Sequence, residues 1–240
     1  MPTPSVNDEA RAGRGPLRLA GGLLVGGLLL NLVGTVFHPS GREDEHAVIF
    51  TKYAGSDAWV AIHLGQFIGI LIALAGLLAL YRALVLHRDA SVLARFAAGA
   101  TIATAAALAV LQAVDGVALK QAVDAWTDAS GAQKAIRFDN AETLRWLEWG
   151  IQSYFRVLLG ISFVLFGVAI ITTRLVAAWL GWVAVLAGVL SVAIGIDVGY
   201  SGLESGFQDA VGIAFLLALV AFALGIGVTG AGRHPPTVPV

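Results

Sequence analysis

Long apolar stretches separated by short polar connections dominate the pattern of this chain. Six of these stretches reach the roughly 20 residues that an α-helix needs to cross a hydrocarbon layer. The pattern therefore predicts an all-α, polytopic membrane protein built as a bundle of six transmembrane helices. The predicted spans are residues 17–38, 58–84, 92–122, 141–173, 176–200 and 207–229.

The segments that flank the spans are polar and rich in proline and arginine. Residues 1–16 and 230–240 are typical of disordered termini, so a single transmembrane domain is predicted over 17–229. Three arginines, Arg11, Arg14 and Arg18, lie before or at the start of the first span, as in a signal peptide. Because no small-residue cleavage site follows the apolar stretch, a retained membrane anchor is favoured.

Positive charges indicate the orientation of the bundle. A small majority of the 15 lysines and arginines lie at the termini and in the second and fourth connections. Because such residues accumulate on the cytoplasmic side of a membrane, both termini are predicted to be cytoplasmic. The first, third and fifth connections then lie on the outer side.

Acidic residues are concentrated on that outer side. Of the 16 aspartates and glutamates, all except Asp8, Glu9 and Asp89 lie in the odd-numbered connections or at the helix ends beside them. With 58% hydrophobic and 13% charged residues, few charges remain for any other surface. The net charge of −1 argues against a nucleic-acid partner. The absence of cysteine excludes thiol catalysis and disulfides.

Polar residues within the apolar spans are costly in a membrane, so each needs a partner or a function. Every span contributes such residues near its outer end. This distribution predicts a polar bowl at the outer interface rather than a pore through the membrane. The predicted substrate-binding residues are His38, His63, Gln66, Gln112, Lys120, Arg145, Gln152, Arg156, Asp197 and Tyr200.

Two carboxylates at the outer boundary, Asp115 and Glu148, are the predicted catalytic residues. A carboxyl group beside an apolar pocket can hold a proton near neutral pH and act as a general acid or base. Lys120, Arg145 and Arg156 would then hold an anionic head group or the partner carboxylate in its charged form.

Structural explanations compete with this interpretation. Glu148 and Arg156 could form ion pairs that serve packing alone, and Lys120 and Asp124 have the spacing of a surface pair on a helix. The outer side also carries several tryptophans, which are typical of an interfacial belt. They are Trp59, Trp126, Trp146 and Trp149.

The sequence leaves the cofactor open. No GxSxG, P-loop or HExxH motif is present. His38, His46 and His63 could contribute to a metal site together with Asp57 or Asp115. His38 and His63 could alternatively ligate a haem from both sides. No spacing enforces either geometry, and no metal ligand set is predicted.

Several strings resemble an uncharacterised family of six-helix integral membrane proteins of actinobacteria. They are HPS at 38–40, SDAWVAIHLGQF at 56–67, QAVDGVALKQAVDAW at 112–126 and SYFRVLLG at 153–160. The resemblance covers most of residues 20–225. It implies a six-helix bundle in a bacterial plasma membrane and brings no catalytic residues with it.

Three functions fit these observations. The first is an acid–base enzyme that acts on a lipid-like or isoprenoid-like substrate. The second is a small-molecule or proton-coupled carrier, with Glu148–Arg156 and Asp115–Lys120 as functional pairs. The third is an accessory or structural subunit whose connections 39–57 and 123–140 bind another protein. Unbroken predicted spans and one-sided charge favour the enzyme.

Overall fold

A computed structural model describes residues 6–85 and 91–231, and within them the protein is helical, with no strand. Six helical segments are long and apolar enough to cross a membrane, which confirms the predicted six-helix architecture. A π-helical turn, Val114–Leu119, joins α4 to α5 without a break. The helices are α1 (Val6–Phe37), α2 (His46–Ala54), α3 (Trp59–Leu84), α4 (Ser91–Ala113), α5 (Lys120–Asp128), α6 (Ala132–Thr173), α7 (Ala178–Ser201) and α8 (Gly206–Ala231).

The helix ends differ from the predicted ones mainly on the polar flanks. α1 begins at Val6, so residues 6–16 are helical rather than disordered. α6 begins at Ala132 and is nine residues longer at its start than the predicted span from 141. A helix can continue beyond the hydrocarbon layer with charged residues. A search for apolar stretches does not detect such polar helix ends. Residues 1–5 and 232–240 of the predicted disordered termini lie outside the described residues, as do Asp89 and two of the arginines used to predict the orientation, Arg88 and Arg233.

The short helix α2 was not predicted, because its acidic surroundings resemble a solvated connection. It buries Ile49, Phe50 and Tyr53 in a small apolar cluster with Trp59 and Val123. This cluster is separate from the main core of the bundle. The connection 39–57 therefore packs on its own chain. We call the end of the bundle that carries α2 the cavity end.

Glycines bring α6 and α7 close together along most of their length. A Cβ atom added at Gly160 would lie 2.5 Å from the carbonyl oxygen of Gly188, and one added at Gly167 would lie 2.6 Å from that of Gly181. Small residues let helix backbones approach closely in lipid. The two helices therefore form a rigid pair that leads to the α6–α7 turn at the opposite end of the bundle, which we call the closed end.

α1 and α8 are in contact at the closed end. The backbones of Gly21 and Gly227 meet directly, and Arg18 Nε donates a hydrogen bond of 2.8 Å to the carbonyl of Gly230. Toward the cavity end the same two helices line a groove between them. The bundle is thus closed by backbone contact at one end and open between two helices at the other.

Candidate functional site

A cavity of about 420 Å³ lies at the cavity end, enclosed by α1, α3, α4, α6 and the segment after α1. Its edge at Thr35 and Ser40 is exposed, so the cavity is open there. The predicted gathering of polar side chains at one end of the bundle is therefore present. The polar residues that line it are Asn31, Thr35, His38, Ser40, Glu43, Tyr53, Gln66, Gln112, Asp115, Arg145, Glu148, Gln152 and Arg156.

Arg145 is the centre of a buried ion-pair cluster on one wall. Its side chain is 2% exposed, and Nη1 donates a hydrogen bond of 2.7 Å to Glu148 one turn along α6. Nη2 donates to the carboxylate of Glu43 at 2.9 Å and to the carbonyl of the same residue at 3.2 Å. One guanidinium thus holds two carboxylates, and it ties the segment before α2 to α6.

Glu43 is a member of this cluster that the sequence does not single out. It lies in the run Glu43-Asp44-Glu45, which has the composition of a solvated loop. In the structure its carboxylate also accepts a hydrogen bond of 2.5 Å from the Tyr53 hydroxyl. Burial raises the pKa of Tyr53 above its usual value, with the carboxylate of Glu43 acting in the same direction. Tyr53 therefore stays protonated as a hydrogen-bond donor.

The second wall carries a histidine–carboxylate pair. His63 Nε2 lies 3.1 Å from Oδ2 of Asp115, and its Nδ1 lies 2.9 Å from the carbonyl oxygen of Trp59. A carbonyl oxygen accepts hydrogen bonds and cannot donate them, so Nδ1 carries a proton. The contact between Nε2 and Asp115 then needs one further proton, which the pair shares.

A π-helical turn places Asp115 in this position. Residues 114–119 depart from α-helical hydrogen bonding, and such turns are frequent at functional sites. The indole Nε1 of Trp59 donates to the backbone carbonyl of Asp115 at 3.2 Å. Gly116 is needed beside it, since an added Cβ would lie 2.8 Å from Cβ of His63. The turn, the indole and the imidazole therefore form one packed unit.

His38 closes the cavity above this unit. Its ring lies 4.9 Å from that of His63 and 5.1 Å from that of Trp59, measured between centroids. Burial and the neighbouring His63 lower the pKa of His38, so its ring is neutral at neutral pH. The two imidazoles are in edge contact and leave no space for a porphyrin between them. Among the side chains that the structure describes, no group of three or more His, Asp or Glu could hold a metal ion.

Arg156 has an environment unlike that of Arg145. Its guanidinium lies over the Phe215 ring, 5.5 Å from the centroid. Across the described part of the chain no carboxylate lies within the 4.0 Å of an ion pair. Its Nε is buried without a hydrogen-bond partner in the same part, as is Oε1 of Gln112 on the facing wall. Both residues line the cavity.

Arg156 also lies where three spaces meet. Besides the polar cavity it lines an apolar compartment of about 120 Å³ within the bundle and a groove of about 380 Å³ between α1 and α8. The outer rim of the groove is formed by exposed apolar side chains. They are Leu29, Leu32, Leu216 and Val220.

Four residues predicted to bind substrate, His63, Lys120, Asp197 and Tyr200, lie outside the cavity lining. Lys120 donates to Asp124 at 2.6 Å and to the carbonyl of Ala54 at 3.1 Å, so it joins α5 to α2. Asp197 accepts hydrogen bonds from Ser205 in the α7–α8 connection and from Gln208 in the first turn of α8. Tyr200 is 91% exposed on the surface of α7.

The predicted ion pairs and the tryptophan belt also need correction. Glu148 pairs with Arg145 rather than Arg156, and Asp115 pairs with His63 rather than Lys120. Trp59 is fully buried instead of interfacial, because its ring packs 4.2 Å from that of Tyr53 and its indole holds the π-helical turn. Trp146, by contrast, is 53% exposed.

His63 was predicted to bind substrate, but it lies behind Asp115 rather than in the main cavity, lining a small pocket between α3 and α4.

The resemblance to a six-helix actinobacterial family stays a prediction. No protein-family model, curated protein or solved structure matches the chain. The function is therefore inferred from the geometry of the cavity.

Proposed function

We propose that this integral membrane protein is an acid–base enzyme, with Asp115 as the catalytic group and His63 as its proton partner. The observation that carries the proposal is the pair of hydrogen bonds on the His63 ring. They leave one proton shared between Nε2 and the carboxylate of Asp115, which lines the cavity.

The shared proton lets the pair operate next to an apolar bundle. Imidazolium with carboxylate and imidazole with carboxylic acid carry the same net charge, so neither form leaves an isolated charge in a low-dielectric setting. Asp115 gives the proton to a substrate atom and becomes the carboxylate. A proton returned by the substrate or by water restores the pair, as general acid–base catalysis requires.

Glu148, the other predicted catalytic residue, has a structural role in this proposal. Its carboxylate is held by Arg145 at 2.7 Å, and its side chain is 6% exposed. Breaking that contact would leave a buried charge without a partner, which costs several kcal/mol. Glu148 therefore positions Arg145 instead of exchanging protons with a substrate.

The closed end argues for an enzyme over a carrier. Its core is apolar, with Leu77, Leu80, Leu84, Phe166 and Ile170 buried. A carrier needs polar groups along a path to both sides. The proposed orientation places both termini in the cytoplasm of a bacterium and the cavity at the outer face of its plasma membrane, as the charge distribution predicts.

The accessory-subunit hypothesis has lost part of its basis. The connections 39–57 and 123–140 were the surfaces expected to bind another protein. Their apolar residues Ile49, Phe50 and Val123 are instead buried against one another. A protein partner would have to bind other parts of these segments.

Lipid conversion by the purified protein tests the proposal. Wild type and Asp115→Asn are incubated with a total lipid extract of the organism that naturally produces the protein, and the products are identified by mass spectrometry. We expect at least one lipid to be converted by wild type and not by Asp115→Asn, with equal thermal stability. Asp124→Asn, which removes the partly exposed partner of Lys120 outside the cavity, is the matched control and keeps activity. Conversion by neither protein, or by both, would contradict the proposal.

A further inference from the structure

We infer that the substrate of this site is an amphiphile with an anionic head group, bound at Arg156, whose hydrocarbon chain lies in the groove between α1 and α8. The inference rests on the proposed function for the reaction itself. It adds the substrate class and the route by which the substrate reaches Asp115.

The charge of Arg156 identifies the head group. A guanidinium cannot lose its proton under ordinary conditions, and a charge that is half removed from water, as that of Arg156 is, is stabilised by a partner of opposite sign. In the described part of the chain, the acids that line the cavity beside it are already paired: Glu43 and Glu148 with Arg145, Asp115 with His63. An anionic ligand would supply that partner, and phosphate or carboxylate oxygens match the guanidinium donors.

The amide of Gln112 supports a polar ligand in the same cavity. Oε1 of Gln112 is buried, has no partner within the described residues and lines the cavity together with Arg156. An unpartnered acceptor in the same cavity as a cation suits a head group that carries both an anionic oxygen and a hydroxyl. Asp115 lines the same cavity as Gln112 and Arg156, so the head group lies in the compartment of the catalytic carboxylate.

The groove between α1 and α8 identifies the rest of the ligand. It shares Asn31, Thr35 and Arg156 with the cavity, so the two spaces adjoin at these residues. Away from these residues its lining is almost wholly apolar, and its rim residues face the position of lipid chains. A hydrocarbon chain attached to a head group at Arg156 would leave the cavity through this groove.

Helix packing explains why the groove lies here. α1 and α8 are fixed to each other at the closed end by Gly21, Gly227 and the Arg18–Gly230 hydrogen bond. At the cavity end Gly212 faces the groove, and an added Cβ would meet nothing within 4 Å. The helices therefore separate from a fixed point, and an amphiphile can enter from the membrane without unfolding either helix.

Gly212 provides a direct test, because a large side chain there fills the groove without an initial clash. Gly212→Trp is compared with Gly22→Trp, whose exposed position on α1 is also free of neighbours within 4 Å but lies outside the groove. The probes are n-dodecyl phosphate, n-dodecanol and inorganic phosphate. Binding is measured by titration in an uncharged detergent, and thermal unfolding confirms that each variant is folded.

We expect dodecyl phosphate to bind wild type at least about tenfold more tightly than either other probe, since a hydrogen bond to a charged group is worth a factor of ten or more. Arg156→Met removes the difference between dodecyl phosphate and dodecanol. Gly212→Trp weakens dodecyl phosphate binding by about tenfold or more, Gly212→Leu weakens it less, and Gly22→Trp leaves it unchanged.

Equal binding by the Gly212→Trp and Gly22→Trp proteins would overturn the groove assignment, and equal affinity for inorganic phosphate would show an anion site without a lipid chain. Failure here with Asp115-dependent lipid conversion intact removes the access route and leaves the enzyme proposal. The expected binding without any Asp115-dependent lipid conversion would leave the access route and contradict the enzyme proposal.

Discussion

Two arginines on α6, the buried Arg145 and the half-buried Arg156, lie about three helical turns apart and have opposite environments. Arg145 is held by Glu43 and Glu148 through hydrogen bonds of 2.7–3.2 Å. Arg156 has an aromatic ring beside it, and no carboxylate of the described residues forms an ion pair with it. The first is satisfied by the fold, and the second is oriented toward spaces that a ligand can enter. A charge paired by the fold indicates structure, while a charge that the fold leaves unpaired indicates binding.

The largest expected effect follows from breaking the Arg145 cluster. Arg145→Met leaves the carboxylate of Glu148 buried without its cation, which costs about 3–5 kcal/mol of folding stability. Denaturant or thermal unfolding in detergent measures the loss. Arg137→Met, on the exposed face of the same helix, is the control and changes stability by less than about 0.5 kcal/mol.

A second substitution distinguishes a broken pair from a lost packing contact. Adding Glu148→Gln to Arg145→Met removes the unpaired carboxylate, so part of the lost stability returns. If the double variant is as unstable as the sum of the two single variants, the cluster is not an electrostatic unit. Wild-type stability of Arg145→Met alone would also contradict the comparison.

Arg156→Met is expected to have the opposite signature. Removing a cation that lacks an acidic partner relieves a desolvation cost, so the free energy of unfolding stays the same or rises. Binding of an anionic amphiphile falls by about tenfold or more. Unfolding and titration on the same preparation measure both quantities. A destabilisation like that of Arg145→Met would show that Arg156 serves the fold.

Ser191 sharpens the comparison on a smaller scale. Its fully buried hydroxyl donates a hydrogen bond of 2.8 Å to the backbone carbonyl of Arg156 and thereby fixes that turn of α6 against α7. Ser191→Ala is expected to cost about 1 kcal/mol. Thr172→Val, which removes an exposed hydroxyl bonded within α6, is the control. No change in unfolding for Ser191→Ala would mean that the bond does not hold this turn.

The smallest effect concerns pH and the closure of the cavity by His38. Burial lowers the pKa of His38, so the unfolded chain binds its proton more readily than the folded protein. Stability is fully present above the ordinary value of 6.5 and is lost as the pH falls below it toward the lowered pKa. His38→Gln should show a shallower loss of melting temperature in that range. Parallel pH curves for both proteins would contradict the burial of this ring.

The sequence predicts the fold and the location of the site better than it predicts which side chains pair with each other. Apolar length alone locates the six spans, because crossing a membrane imposes a minimum length on each helix. Helical spacing brings Arg145, Glu148, Gln152 and Arg156 to one wall, since these residues share a helix face. Both predictions depend only on neighbours along one segment.

Contacts between segments explain the failures. The pairing of Arg145 with Glu43 joins residues about 100 positions apart, and nothing in the acidic run distinguishes Glu43 from Asp44 or Glu45. The groove depends on where α1 and α8 separate. Trp59 is of a residue type that is typical of membrane interfaces, but it is buried because α2 packs over it.

A high-resolution experimental structure of the protein in a lipid nanodisc containing anionic lipid tests the central claim most directly. The account predicts head-group density within about 3 Å of the Arg156 guanidinium, continuous with chain density between α1 and α8. Density for water alone around Arg156, with α1 and α8 in contact along the groove, would contradict it.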